Sequence, residues 1–315
     1  MSNSIGVPDE RPDDSSFERA LAAARPTAPE LGRRLRLHGV LAAVLGVERP
    51  LPALERYALE QQIGAGGMGV VYRGRELASG RAVAVKLIDS RARFERARFE
   101  REVRVLRELA SPRIVGYLDH GRTADGQDYL VMEWLDGEDL LARLRRGPLD
   151  VARALRLGIE LARALATVHA AGITHRDVKP SNVILVGDRV DDVRLIDFGI
   201  AHAPTQGPRL TATGAMLGTP SYMAPEQIEG HADARTDVYG LGATLFEALT
   251  GRPVFAGEHP GAIVLAVLAE APPSVSALRP DVPGAVDALV GRMLAKRPAD
   301  RPVDMDAVAI ELAQL

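Results

Sequence analysis

From residue 57 onward, the apolar pattern of this 315-residue chain changes once, close to Asp136-Gly137. Upstream, alternating apolar residues predict five β-strands, at residues 57–63, 70–76, 81–88, 114–119 and 129–133, with an amphipathic helix at 91–109. Downstream, apolar residues recur at helical spacing and predict helices at 140–146, 151–171, 237–250, 262–269, 286–294 and 303–315. The pattern therefore predicts an α+β fold, with a small sheet and one helix in a first lobe and a mainly helical second lobe.

The first 56 residues form an N-terminal extension to this pattern. Residues 1–28 are rich in proline, serine and acidic side chains, and we expect them to be mostly disordered. Residues 31–47 predict an amphipathic helix with one apolar face, made by Leu37, Val40, Leu41, Val44 and Leu45. Two interpretations stay open for this helix. It adds structure to the first lobe, or it regulates the protein and docks a partner.

Composition excludes several classes of protein. The chain has no cysteine, which rules out disulfides and thiolate metal sites. Its net charge of −3 gives no electrostatic argument for binding nucleic acid. The longest apolar run, at 262–269, is far shorter than the roughly 20 residues of a membrane-spanning helix. We therefore predict a soluble, cytoplasmic protein with no membrane span and no nucleic-acid partner.

A glycine-rich turn at residues 64–70, with the sequence GAGGMGV, lies between two predicted strands. Glycines there let the backbone approach phosphate groups closely and adopt positive φ angles. A dinucleotide-binding fold would continue from such a turn into a helix, but residues 70–76 continue as a strand. The context favours a turn that covers the phosphates of a nucleotide.

The second chemical signal is the segment His175–Asn182 followed by Asp197. Asp177 can orient and deprotonate an attacking hydroxyl, and Lys179 can neutralise charge on a phosphoryl group in transfer. Asn182 and Asp197 offer hard oxygen ligands of the kind that Mg²⁺ prefers. These residue types at this spacing predict phosphoryl transfer from a nucleotide.

The sequences HRDVKPSN at 175–182 and DFG at 197–199 resemble the catalytic loop and the metal-binding loop of protein kinases. Lys179-Pro180 is similar to the Ser/Thr kinases, and Ser181 resembles the bacterial, Hanks-type members. The resemblance covers residues 57–312 and implies the bilobal protein-kinase fold, with an N-lobe at 57–135 and a C-lobe at 136–312. It implies a serine/threonine protein kinase that transfers the γ-phosphoryl group of ATP to protein hydroxyls, with Mg²⁺ as the metal, for which Mn²⁺ can substitute.

The same resemblance implies the roles of further residues. Lys86 would hold the α- and β-phosphates and pair with Glu102, with Glu100 as the second choice. Thr219 would contact Asp177 and Lys179. The residues implied to bind the nucleotide are Ile63, Gly64, Ala65, Gly66, Gly67, Met68, Gly69, Val70, Ala84, Lys86, Met132, Glu133, Leu135 and Asn182. Within this set, Val70 and Ala84 would pack on the adenine, Met132 would back its pocket, and Glu133 and Leu135 would bond it through their backbones.

Three more residues have a supporting role by the resemblance. Glu226 is expected to form a buried pair with Arg301, and Asp237 is expected to hold the backbone of the catalytic loop. His175 is interpreted as a support of that loop and is kept out of the catalytic set.

The resemblance also implies regulation by phosphorylation. The segment LTATG at 210–214 is similar to the loop that bacterial members autophosphorylate, so Thr211 and Thr213 are predicted sites. Arg176 can bind such a phosphate bidentately and order the loop. The competing interpretation is that both are ordinary loop threonines. Back-to-back dimerisation through the small lobe is known in the family and would allow a homodimer to autophosphorylate in trans, but no residue of this sequence establishes such a dimer.

Two other functions remain as alternatives. A pseudokinase would bind nucleotide without catalysis and act as a scaffold or allosteric partner, but such proteins usually lack one of Lys86, Asp177, Asn182 or Asp197. A small-molecule phosphotransferase usually lacks the Ala224-Pro225-Glu226 segment that is present here. The predicted partners are therefore proteins with Ser or Thr residues.

Overall fold

The computed structural model describes residues 54–66, 69–88, 96–109, 111–124, 126–187, 189–197 and 220–315. The predicted helix at 31–47 lies outside these residues. In the first lobe, five antiparallel strands pair in the order β1-β2-β3-β5-β4. Their bounds are Tyr57–Gly66 (β1), Gly69–Glu76 (β2), Ala82–Ile88 (β3), Tyr117–Arg122 (β4) and Asp128–Glu133 (β5), and helix α1 spans Arg96–Glu108.

The second lobe contains a small sheet and a set of helices. Strands Gly137–Asp139 (β6), Val183–Val186 (β7) and Val193–Leu195 (β8) pair in that order. The helices are Leu140–Leu144 (α2), Val151–Ala170 (α3), Pro225–Ile228 (α4), Ala234–Thr250 (α5), Pro260–Ala269 (α6), Val275–Leu278 (α7), Gly284–Met293 (α8) and Met305–Ala313 (α9). Short 3₁₀ turns lie at Pro180–Asn182, Pro220–Tyr222 and Pro298–Asp300. The predicted α+β, two-lobed architecture is confirmed.

Alternation along the strands gives the first sheet two different faces. One face carries the outer cluster, which we define as Leu54, Tyr57, Leu59, Tyr72, Val83, Val85, Leu87, Tyr129 and Val131. The other face carries Ala84, Lys86, Leu130 and Met132, because β3 and β5 pair with Ala84 opposite Met132 and Lys86 opposite Leu130. We call this second face the pocket face. Leu130 and Met132 belong to the same buried cluster as the helices of the second lobe, so the lobes share one core.

Helix α5 forms the centre of the second lobe. Every residue from Thr236 to Leu249 is buried. Asp233 caps the helix in a capping box with Thr236, which is why the helix begins before the predicted start at residue 237. Gly240 permits close approach of residues 175–182, the predicted catalytic loop, since a Cβ there would lie 2.9 Å from the Cβ of Val178. A buried helix with no side chain at the point of contact therefore supports the segment that carries Asp177.

One sequence prediction of local structure was wrong, and one small sheet was not predicted. The strand predicted at 114–119 is shifted to Tyr117–Arg122, because Ile114 forms an isolated parallel bridge with Leu195 of β8. The sheet β6-β7-β8 was missed. Its strands have three or four residues, which is too short for alternation to be visible in the sequence.

The expected buried pair between Glu226 and Arg301 is confirmed. The Arg301 guanidinium donates to both carboxylate oxygens of Glu226 at 2.6 and 2.8 Å, and its side chain is completely buried. Arg301 also donates to the backbone carbonyls of Ala295, Arg235 and Lys296, so all its donors have acceptors inside the lobe. The pair joins the start of α4 to the segment before α9.

Replacement of Arg301 by alanine is expected to lower the free energy of unfolding by about 3–5 kcal/mol, because it leaves the Glu226 carboxylate buried without its partner. Urea unfolding measures this change. The control is Arg297→Ala, which removes an exposed arginine 3.8 Å from Asp300 and should cost less than about 1 kcal/mol. Equal losses in the two variants would contradict the interpretation.

Candidate active site

The backbone of the catalytic loop is held by one buried carboxylate. Asp237 of α5 accepts the N–H of His175 at 2.8 Å and the N–H of Arg176 at 2.7 Å. It also accepts a hydrogen bond from Nε2 of His169, at the end of α3, at 2.7 Å. Gln227 donates to the Arg176 carbonyl at 2.7 Å. The prediction that Asp237 holds this loop is confirmed, whereas the contributions of His169 and Gln227 were not foreseen.

These contacts keep Arg176 in a conformation that non-glycine residues seldom adopt. Its φ angle is 65°, in the left-handed region. Such a residue persists only where surrounding contacts determine its geometry. Here both its N–H and its C=O are bonded to side chains of the second lobe. The turn that presents Asp177 is therefore imposed by tertiary contacts.

His175 supports the loop from inside the protein and is fully buried. Its Nε2 bonds the carbonyl of Ile196 at 3.0 Å, and its Nδ1 accepts the N–H of Asp177 at 3.3 Å. A carbonyl can only accept and an amide N–H can only donate, so the imidazole is the neutral tautomer with the proton on Nε2. His175 thus ties Asp177 to the residue that precedes Asp197.

Two side chains converge on the carboxylate of Asp177. Lys179 donates from Nζ to Oδ2 at 2.8 Å. Asn182, at the end of the 3₁₀ turn, donates from Nδ2 to the same oxygen at 2.9 Å and to the Asp177 carbonyl at 2.8 Å. Because the amide nitrogen of Asn182 is used in this way, its carbonyl oxygen is the atom that could bind a metal. The spacing of these three residues in sequence does bring them together.

Asp197 is connected to this cluster through a backbone hydrogen bond of the preceding residue. The N–H of Ile196 donates to the Asn182 carbonyl at 2.9 Å. Asp197 follows with a φ of 58°, a second left-handed residue. Its Oδ1 accepts from Nζ of Lys86 at 2.8 Å, although the two residues are 111 positions apart. This pair crosses from the first lobe to the second.

Lys86 has a relative exposure of 5%, so its ammonium requires a partner, and Asp197 is that partner. The predicted partner Glu102 lies within α1, but its side chain falls outside the described part of the structure. The Lys86–Glu102 pair therefore stays a prediction. The Lys86–Asp197 pair was not foreseen, since nothing in a sequence reports a contact over such a separation.

A small cavity lies between α1 and the pocket face. Its lining residues are Lys86, Leu106, Val115, Tyr117, Leu130, Met132 and Asp197. The walls are apolar apart from the Lys86–Asp197 pair and the phenol of Tyr117, which bonds Nδ1 of His120 at 2.6 Å. Met132, predicted to back the adenine pocket, is one of the lining residues. Leu106, Val115, Tyr117 and Leu130 were not predicted, because they come from α1, the turn before β4, β4 and β5, which are separate in the sequence.

One nucleotide-binding prediction is wrong by one residue. Val70 pairs with Leu87 and packs against the outer cluster, whereas Val71 pairs with Lys86 on the pocket face. A shift of one residue in a strand moves a side chain to the opposite face. Val71, and not Val70, therefore lies on the same face of the sheet as Ala84 and Lys86.

The glycine-rich turn is partly described. Ile63, Gly64, Ala65 and Gly66 lie at the end of β1, and Ile63 is 46% exposed. Gly69 begins β2 with a φ of 140°, and a Cβ on it would lie 2.0 Å from the carbonyl oxygen of Leu87, so no other residue fits. Gly67 and Met68 lie outside the described residues, as do Thr211, Thr213 and Thr219.

The linker between the lobes is held by two contacts outside the cavity. Glu133 donates its N–H to the Gly116 carbonyl at 2.9 Å and accepts the Gly116 N–H on its carboxylate at 2.7 Å. The guanidinium of Arg73 lies 5.0 Å from the ring centroid of Trp134, the only tryptophan of the chain. Leu135 follows, half-buried against the shared core. These contacts fix the backbone that borders the pocket face.

The donor set fits a magnesium ion that is shared with a phosphate ligand. Asn182 and Asp197 supply neutral and anionic oxygens, and Mg²⁺ usually binds one or two such side chains while phosphate and water complete its coordination. Among the described residues, no three His, Cys, Asp or Glu side chains form a complete protein cage. Asn182 and Asp197 could therefore hold such an ion together with a phosphate ligand.

After the gap, the described chain resumes at the 3₁₀ turn Pro220–Tyr222. The Tyr222 hydroxyl donates to the Glu247 carboxylate of α5 at 2.5 Å. Burial raises the pKa of Glu247 above its ordinary value, and the hydrogen bond from Tyr222 offsets part of that rise. A second buried acid of α5 thus holds a second segment that borders the site.

Comparison with known proteins agrees with the resemblance seen in the sequence. A family model for the protein kinase domain matches residues 57–312. The serine/threonine-protein kinase PknE of Mycobacterium tuberculosis is 42% identical over 261 residues, which cover 80% of this chain and 45% of PknE. The serine/threonine-protein kinase pkn3 of Myxococcus xanthus is 37% identical over 269 residues, which cover 82% of this chain and 49% of pkn3. This chain spans about half the length of these curated relatives.

A solved structure supports the same fold. The crystal structure of the Mycobacterium tuberculosis PknI kinase domain superposes with a TM-score of 0.67 at 29% identity, covering 85% of this chain and 99% of that domain. In the part of our chain that the structure describes, every helix is too short or too polar to cross a bilayer.

Replacing Asp237 by asparagine is expected to loosen the catalytic loop. Asparagine offers one accepting oxygen and one NH₂ group, so at least one of the three N–H donors would face another donor. We expect a loss of about 1–3 kcal/mol in the free energy of unfolding and faster hydrogen exchange at the amides of His175 and Arg176.

Asp287→Asn is the matched control, because the Asp287 carboxylate accepts from two serine hydroxyls, at 2.7 Å each, and from one backbone N–H. Hydroxyls can turn to accept from NH₂, so this variant should lose less stability. Unchanged exchange at His175 and Arg176 in Asp237→Asn would contradict the role given to Asp237.

The raised pKa of Glu247 predicts a pH dependence of stability. Its folded-state pKa lies above the unfolded value of 4.5, so between the two values the folded protein binds more protons than the unfolded chain. The free energy of unfolding should therefore fall as pH rises through that window. Urea unfolding at a series of pH values between about 4 and 8 measures this dependence on pH, and Glu247→Gln should remove the part that Glu247 contributes. The control Glu229→Gln replaces an exposed glutamate and should leave the pH dependence as in wild type. If Glu247→Gln also leaves it unchanged, Glu247 is not the group that causes it.

Proposed function

This chain belongs to the protein kinase domain family, and from that membership we propose that it is an active serine/threonine protein kinase. The observation that carries the proposal is the convergence of Lys179 and Asn182 on one carboxylate oxygen of Asp177. A protein that only bound nucleotide would not need an ammonium and a carboxamide to orient an aspartate. The relatives named as serine/threonine-protein kinases support the same substrate class.

In the reaction we propose, the hydroxyl oxygen of a Ser or Thr side chain attacks the γ-phosphorus of ATP. A bond forms between that oxygen and phosphorus, the bond from phosphorus to the β,γ-bridging oxygen breaks, and ADP leaves. Asp177 orients the hydroxyl and receives its proton. Lys179 lies 2.8 Å from Asp177, where its charge can offset the charge that develops on the transferred group.

We propose that the nucleotide lies against the pocket face. Val71 and Ala84 would pack on the base and Met132 would close its far side, as the shared strand face of the three residues supports. The backbones of Glu133 and Leu135 would bond the base, and the turn at 63–69 would cover the phosphates. Lys86 would bind the phosphates from the floor of the cavity, with Glu102 as its second partner.

Asn182 and Asp197 would hold Mg²⁺, which Mn²⁺ could replace. When bound, the ion neutralises charge on the phosphate oxygens. Asp197 is kept ready for this role by Lys86, and Asn182 by its two bonds to Asp177. Thr219, predicted to contact Asp177 and Lys179, completes the proposed site.

We propose Thr211 and Thr213 as sites of autophosphorylation. Phosphate at either residue could bind the Arg176 guanidinium, and Arg176 is held by its backbone next to Asp177. Activity would then rise when the loop is ordered by that ion pair.

Incubation of the purified protein with Mg-ATP, followed by intact mass and phosphopeptide mapping, tests the proposal. Wild type should gain phosphate on Thr211 or Thr213, while Asp177→Asn should gain it at least about 10²-fold more slowly, because the variant lacks its base. Calorimetry should show that Asp177→Asn still binds ATP. Equal phosphate on wild type and Asp177→Asn, or none on either, would reject the assignment.

The regulatory part has its own control. Thr211→Ala/Thr213→Ala should lower transfer to an added protein substrate such as casein, whereas Thr205→Ala, in the same loop, should not. If the double variant stays fully active after phosphatase treatment, the two residues are ordinary loop threonines.

A further inference from the structure

An ion pair joins the two lobes away from the catalytic cluster. Nε of Arg113, in the turn between α1 and β4, donates to Oε2 of Glu160 on α3 at 2.5 Å. The side chains are 31% and 17% exposed, so water only partly screens the pair. Arg163, one turn along α3, binds the other oxygen of Glu160 at 2.9 Å. The carboxylate thus has one partner in the first lobe and one in its own helix.

The backbone beside Arg113 is paired with β8. The N–H of Leu195 donates to the Arg113 carbonyl at 2.8 Å, and the N–H of Val115 donates to the Leu195 carbonyl at 3.1 Å. Ile114 lies between them, 2% exposed. A turn of the first lobe therefore extends the small sheet of the second lobe by one bridge, and the Arg113 side chain holds that turn against α3.

This bridge lies directly upstream of the catalytic machinery. Leu195 precedes Asp197 by two residues, and the intervening Ile196 bonds Asn182. Val115, at the other end of the bridge, lines the same cavity as Lys86 and Asp197. A change in the position of the turn relative to α3 would therefore alter the distance between Lys86 in one lobe and Asp197 in the other.

We propose that Arg113 is a positioning residue for phosphoryl transfer, acting through β8 on Asp197. The proposal rests on the proposed function. Arg113 touches neither ATP nor the acceptor. Its guanidinium keeps the α1–β4 turn on α3, so that Leu195 and Asp197 stay in register with Lys86. Because a misplacement of about 1 Å at a reacting centre can lower a rate by about 10²-fold, a modest ion pair is sufficient to matter.

The chain offers a matched control. Arg113→Ala and Arg163→Ala remove the same charge from the same carboxylate, and each leaves Glu160 with its other arginine. Only the first variant breaks a contact between the lobes. Arg113→Lys restores a cation that can reach Glu160 and serves as the rescue variant.

Two measurements on the full chain test the proposal. Steady-state transfer of phosphate from ATP to casein should show kcat lowered about fivefold in Arg113→Ala, with KM for ATP changed less than about twofold, because Asp197 is displaced while the base pocket is intact. Arg163→Ala should match wild type, and Arg113→Lys should recover most of kcat. Hydrogen exchange at the amides of Val115 and Leu195 should be faster in Arg113→Ala alone.

Several outcomes would overturn the proposal. The first is that Arg113→Ala and Arg163→Ala behave alike in both measurements. The second is that hydrogen exchange rises in Arg113→Ala while kcat stays unchanged, which is the result expected for a residue with a structural role only. If wild type transfers no phosphate at all, the proposed function fails. The catalytic role of Arg113 falls with it, whereas unchanged exchange at Val115 and Leu195 in an Arg113→Ala variant of an active wild type overturns the Arg113 proposal alone.

Discussion

The arrangement of the site depends on the buried carboxylate of Asp237. It accepts three N–H donors from the end of α3 and from the catalytic loop, while its own helix is buried from Thr236 to Leu249. A carboxylate in such surroundings is stable only with its acceptors satisfied, and it then imposes its geometry on the groups that satisfy it. The left-handed turn at Arg176 is the consequence. That turn directs the chain to Asp177, Lys179 and Asn182, so the catalytic cluster is held by the core of the second lobe.

The first lobe is attached to this core by charge as well as by apolar packing. Lys86 lies in a strand where its ammonium is almost fully buried, and Asp197 of the other lobe supplies the opposite charge. Arg113 and Glu160 form a second, more exposed pair between the lobes. Neither pair contributes much to stability by the standard of apolar burial. Their importance lies in fixing the position of one lobe against the other, and hence the distance between Lys86 and Asp197.

Strand register decides which side chains can meet a ligand. Val70 and Val71 are chemically the same residue, and only the pairing of Val71 with Lys86 places it on the pocket face. Likewise the alternation in β5 directs Leu130 and Met132 to the cavity, and Tyr129 and Val131 to the outer cluster. Sequence alone showed that a strand follows the glycine-rich turn, but its inward face was misassigned by one position. The short strands β6, β7 and β8 were not visible at all, because three or four residues carry no detectable period.

The sequence by itself determined the order of strands and helices, the two-lobed α+β architecture, and the local cluster of Asp177, Lys179 and Asn182. These features depend on periodicity and on spacings within a few residues, which chain connectivity converts directly into proximity. The tertiary structure alone decided that Lys86 pairs with Asp197, that His169 and Gln227 help to hold the catalytic loop, and that Arg113 meets Glu160. Each of these contacts joins residues 47 or more positions apart. Their formation depends on how buried charges and unsatisfied backbone groups find partners once the core has packed, and no local pattern in a single sequence records that outcome.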